Sequence, residues 1–176
     1  MNKKILLFLL LLPFFIITVK AQSYDSIHIE KSFKYLEDSC KNFISFACNA
    51  NGMPSENTFK YMDLIISERY DLIEKLLYSD NPSNQFLSVI ILEFLEKKRK
   101  ITINDIVKKQ ISGIKQSEEI ISVCRGCTYH NQLSLKELLT TKNIIRSDAV
   151  IFCKRTLKIK KRYNSGKQTV NSNSHS

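Results

Sequence analysis

The stretch from Phe86 to Leu95 restricts the fold more than any other part of the chain. Phe86, Leu87, Val89, Ile90, Ile91, Leu92, Phe94 and Leu95 leave almost no polar side on a helix. A helix that is apolar nearly all round has to be covered on several sides. The pattern therefore predicts a central helix over about 84–98 with other elements packed around it. Ser79-Asp80-Asn81-Pro82-Ser83 precedes it as a turn, and Lys97-Lys98-Arg99-Lys100 follows it. Cations in a last turn sit well against the negative end of the helix dipole. That cluster reads as capping rather than as a binding patch.

The neighbouring segments repeat apolar residues at steps of three and four, the period of a helix. Phe33, Leu36, Cys40, Phe43 and Ala47 predict a first helix over about 26–47. Asn49 to Ser55 breaks it with Asn, Gly and Pro. Phe59, Met62, Ile65 and Ile66, then Tyr70, Ile73, Leu76 and Leu77, predict one long helix or two with a break near Arg69. Thr102 to Asp105 starts another helix, carrying Ile106, Val107, Ile111 and Ile114. A short helical element is expected at Glu118 to Val123, interrupted by Cys124-Arg125-Gly126-Cys127. Ser134-Leu135-Lys136-Glu137 fits a capping box, with a helix to about Thr141. Residues 150–163 suit a strand or a frayed helix equally. With only 4 glycines and 3 prolines, a turn-rich β protein is disfavoured. The expected fold class is all-α, an antiparallel helical bundle.

Residues 72–95 resemble one unit of a HEAT-type helical repeat. Leu76 and Leu77 resemble the paired leucines that end its first helix, Pro82 the turn proline, and Leu92 and Leu95 the leucines of its second helix. Gln85 stands where the family often has Arg, and Leu87, Val89, Ile90 and Ile91 are bulkier than the family prefers. The resemblance covers one unit. It implies a short irregular HEAT-like helical stack as the alternative to the bundle, and a surface that binds other proteins.

The two ends differ from this body. Lys3 and Lys4 precede an unbroken apolar run from Ile5 to Val19, followed by Lys20, Ala21 and Gln22. That is the layout of a secretory signal peptide cut after Ala21. The run holds Pro13 and is shorter than the roughly 20 apolar residues a spanning helix needs. The expected organisation is a signal peptide at 1–21, a helical domain at 22–148 and a basic segment at 149–176, disordered from about 164. The net charge of +10 is uneven: acids and bases balance between Gln22 and Asp148. Beyond Asp148 lie Lys154, Arg155, Lys158, Lys160, Lys161, Arg162 and Lys167, with no acid. Such a block is a solvated or anion-seeking tail. Lys158, Lys160, Lys161 and Arg162 are the candidate contacts to an anionic surface. A neutral body argues against a specific nucleic-acid binder.

In an exported chain, cysteines are disulfide material first. Cys124 and Cys127 are expected to bond to each other, with Cys40 buried on the first helix. A redox-active C-x-x-C assisted by Arg125, or a zinc site of Cys124, Cys127, His130 and Cys153, are the alternatives. Thr128 stands where a haem-attachment motif needs His. His28 and His175 have no other candidate ligand near them. No Gly-rich phosphate loop, H-E-x-x-H or G-x-S-x-G occurs, and adjacent Glu118 and Glu119 would diverge on a helix. No cofactor is called for. The sequence therefore points to an exported, periplasmic or extracellular, non-catalytic interaction protein whose partner is a protein of the cell envelope. A thiol redox or zinc protein is the alternative.

Overall fold

The computed structural model describes residues 26–48, 52–126 and 129–172. The signal-peptide region, Cys127 and His175 lie outside them. Helix α1 covers residues 26–38 and is followed by strand β1, Phe43–Cys48. Then come α2 (Glu56–Ile66), α3 (Tyr70–Lys75) with a 3-10 turn at Leu76–Tyr78, α4 (Pro82–Lys97) and α5 (Asp105–Ile114). Strands β2 (Ile120–Gly126) and β3 (Tyr129–Ser134) are followed by α6 (Leu135–Leu138) and α7 (Ile144–Ser172).

The all-α bundle and the HEAT-like stack are both overturned by a three-stranded sheet of order β1-β2-β3. β1 runs parallel to β2, and β2 antiparallel to β3. A parallel pair requires a long crossover, and here it carries α2 to α5. Helical spacing misled at both strands. The first helix ends at 38, not 47, because its last carbonyls find side-chain donors at the start of α4. Asn84 Nδ2 donates to Leu36 O at 2.7 Å and Asn81 Nδ2 to Ser39 O at 2.7 Å. Those bonds satisfy acceptors that a helix end leaves open. Phe43-Ile44-Ser45-Phe46 then pairs with a strand far along the chain, as does the Ile120-to-Cys124 segment expected to be helical.

Helix α4 occupies the centre, as its composition demands. Phe86, Leu87, Val89, Ile90, Ile91, Leu92 and Leu95 are essentially inaccessible. It touches α2, α3 and its 3-10 turn, α5, α6, α7 and β2. Ile44, Ile121 and Val123 bring the inner face of the sheet into the same core. The buried hydroxyl of Tyr61 is satisfied in this core. Tyr61 donates or accepts at Ser88 Oγ, 2.9 Å away, and its oxygen lies 3.0 Å from Asn84 O. Burial pushes its hydroxyl pKa far up, so it stays neutral.

Both α2 and α4 end in Schellman motifs with side chains where glycine is usual. Glu68 (φ 60) and Arg99 (φ 55) hold the left-handed position. Arg69 N bonds Leu64 O at 3.0 Å, and Lys100 N bonds Leu95 O at 2.9 Å. The capping box at Ser134 forms as expected, although its helix is a single turn. Glu137 accepts from the Ser134 backbone and side chain, which holds its carboxyl below the usual range.

The C-terminal segment is helical from Ile144 to Ser172. Ile145, Ala149, Cys153 and Thr156 are buried at steps of three and four. The stripe continues to Lys160, which is 13% exposed and ion-paired with Glu68. Its Nζ makes no aligned hydrogen bond, so the contact is one of charge. Lysine spacing hid this stripe, because beyond Ile145 its members are a small residue, a thiol, a hydroxyl and the stem of a lysine.

Candidate functional site

The C-x-x-C reading fails at its first sulfur. Cys124 is bonded to Cys48, 76 positions away, with the two Cα atoms 5.6 Å apart. The sheet explains the pairing. Cys124 lies opposite Ser45 on one side and His130 on the other, and paired residues share a face. In an unbroken register Cys48 would fall on the opposite face. A bulge between Ser45 and Ala47 shifts the register by one, so that Cys48 lies opposite Gly126. That puts Cys48 on the same face as Cys124, two residues along. Cys48 N also bonds Met53 O at 3.1 Å, which holds the strand end in place.

The other expected thiol roles change with it. Cys40 is exposed rather than buried, since the helix that was to carry it inward has already ended. Cys153 is the buried free thiol, and burial pushes its pKa up to about 12, which leaves it unreactive. Arg125 Nε instead holds Asp148 Oδ2 at 2.7 Å. The zinc set of Cys124, Cys127, His130 and Cys153 does not assemble as expected. Cys153 faces the core from α7, whereas His130 Nε2 lies 3.8 Å from Cys124 Sγ. The third donor near them is Cys48, which the sheet brings there from the end of β1. The alternation of Ile121 and Val123 was the signal that could have revealed β2, and through it this row.

The helix α7 sorts its charges by face. Inward, Arg146 Nη2 meets Glu93 Oε2 at 3.0 Å, Asp148 meets Arg125, and Lys160 meets Glu68. Glu93 also holds Lys115, so one carboxylate joins α4, α5 and α7. Outward, Lys154, Arg155, Lys158, Lys161 and Arg162 are exposed. Ile151 and Ile159 are exposed among them, at 41% and 49%. At about 100° per residue these positions centre opposite the buried stripe. Of the four cations proposed from sequence, Lys160 is therefore removed from the outer surface and the other three remain on it.

A groove of about 580 Å³ lies where α1 meets the turn before α4. Glu37, Asp38 and Asp80 give its rim an acidic character, with Lys75 and Cys40 beside them. His28, for which the sequence offered no role, meets Asp63 Oδ2 at 3.4 Å, the same oxygen that accepts from Ser32. No family model, curated protein or solved structure matches the chain. Among the described residues, no helix is long and apolar enough to cross a membrane.

Proposed function

We propose that this chain is exported and acts as a non-catalytic interaction domain, held on an anionic surface of the cell envelope where it meets a protein partner. The observation that carries this reading is the outer face of α7, where Lys154, Arg155, Lys158, Lys161 and Arg162 are exposed with Ile151 and Ile159 beside them. The inner face keeps the helix docked, so this surface is presented by a fixed element rather than a loose tail. Basic residues near an anionic bilayer contribute about 1 kcal/mol each, and exposed apolar side chains add insertion into the headgroup boundary. The apolar, lysine-led start of the chain supports export. So does the Cys48–Cys124 bond, since structural disulfides persist in oxidising compartments.

The test is co-sedimentation of the exported form with vesicles at low salt. Strong retention is expected on anionic vesicles and little on neutral ones, fading as salt shortens the screening length. Replacing Lys154, Lys158 and Lys161 together by Gln should lower retention at least tenfold. Equal retention by the variant would remove the surface role. Cross-linked capture from native envelopes, compared between the parent and that variant, tests whether a protein partner depends on the same placement.

A further inference from the structure

We propose that reduction of the Cys48–Cys124 disulfide opens a zinc site made of Cys48, Cys124 and His130, one ligand from each strand of the sheet. The proposal uses none of the α7 cations and stands whether or not α7 meets a membrane. The three donor atoms already lie within 4.8 Å of one another. A tetrahedral zinc ion with Zn–S near 2.3 Å and Zn–N near 2.0 Å separates two sulfurs by about 3.8 Å and a sulfur from a nitrogen by about 3.5 Å. His130 Nε2 is 3.8 Å from Cys124 Sγ, so that edge needs almost no movement. The sulfurs need only part to the ligand spacing once their bond is broken. Their Cα atoms, 5.6 Å apart, sit on adjacent paired strands and allow this by side-chain rotation.

The backbone has built this convergence from distant parts of the sequence. Cys124 and His130 are directly opposed in the antiparallel pair, and the β1 bulge turns Cys48 to the same face. The cysteines are buried and His130 is exposed, so a metal would enter past the histidine at the β3 edge. Three protein ligands with a fourth position left for water make an exchangeable site rather than a closed structural one.

The step balances with a thiol reductant. Two equivalents of a low-molecular-weight thiol break the S–S bond, yielding two cysteine thiols and one reductant disulfide. Zinc then displaces both thiol protons, while His130 binds through the Nε2 lone pair and keeps its proton on Nδ1. In the oxidised chain both sulfurs are committed to each other and the site is closed. The disulfide is thus the gate of a metal site that exists only under reducing conditions.

The experiment uses the full chain with Cys40→Ser, Cys127→Ser and Cys153→Ala, so that reduction frees only the two sulfurs in question. Zinc binding is measured by competition with a chromophoric chelator, and cobalt serves as the spectroscopic probe. One metal per reduced chain and none per oxidised chain is expected, with sulfur-to-cobalt charge transfer only after reduction. His130→Ala, a change at an exposed position, should weaken binding at least tenfold and alter the cobalt visible bands. Equal binding by the oxidised chain, no uptake by the reduced chain, or binding indifferent to His130→Ala would each overturn the proposal. If the triple variant does not fold, the parent chain is reduced with and without zinc and alkylated. Zinc should then shield Cys48 and Cys124 from the reagent, and labelling of both at an unchanged rate would overturn the proposal.

Discussion

The two long helices, α4 and α7, are held by opposite means. Helix α4 is enclosed, and its side chains reach nearly every other element through apolar contact. Helix α7 is docked along one stripe, Ile145, Ala149, Cys153 and Thr156, and pinned at intervals by Asp148, Arg146 and Lys160. Burial of large apolar side chains gives α4 its stabilising weight, at roughly 25 cal/mol per Å² removed from water. The ion pairs of α7 are partly solvated, and such pairs contribute only about 0–1 kcal/mol each. The difference teaches that the stability of this protein resides in α4, while α7 is free to carry a surface whose charges fold does not need.

The sharpest way to break that comparison is at the centre. Phe86→Ala in α4 should cost about 3–5 kcal/mol in urea unfolding, because it removes a fully buried ring and leaves a cavity. A cost below about 1 kcal/mol would show that α4 is not the anchor. Next is the covalent link between the first strand and the second. Replacing Cys48 and Cys124 together by Ala should lower stability by about 2–4 kcal/mol, because the bond spans a long loop. Ala149→Leu probes the α7 stripe from the other direction, and crowding that inner face should cost about 1–3 kcal/mol. If α7 were loosely laid on the body, the larger side chain would be accepted without loss.

The two left-handed positions refine the contrast further. Arg99→Gly relieves backbone strain at the end of α4 and should stabilise by about 0.5–1 kcal/mol. Glu68→Gly relieves the same strain but leaves Lys160 without its carboxylate, so its gain should be smaller. The difference between these variants, read from thermal melts, measures what that ion pair holds. The smallest effect belongs to the outer face of α7. Lys158→Gln with Lys161→Gln should move stability by no more than about 0.5 kcal/mol. A larger loss would mean that the outer cations serve the fold after all.

Periodicity carried far along this chain, but unevenly. The all-round apolar run of α4 could be satisfied only by a central helix, and it is one. The Ser134 cap was legible because capping is local chemistry between neighbours three residues apart. The break at Arg69 is real, since α2 ends at Ile66 and α3 starts at Tyr70. The strands were not legible in the same way. Phe43 to Cys48 satisfies a helical stripe on paper, and its actual partners lie beyond four intervening helical elements. Strand pairing is non-local, so nothing beside Phe43 states that Ser122 will lie opposite it.

By itself, the sequence determined which helix is central, where its neighbours are capped, and that the cations gather after Asp148. Each of these follows from residues within a few positions of one another, where spacing and charge act directly. Only the tertiary structure decided that Cys124 meets Cys48 instead of Cys127, that His130 stands beside them, and that Lys160 turns inward to Glu68. Those contacts depend on strand register, on one bulge and on the rotation of a docked helix. All three are set by how the whole core packs, because a register shift of one residue or a turn of 100° would give each side chain a different neighbour.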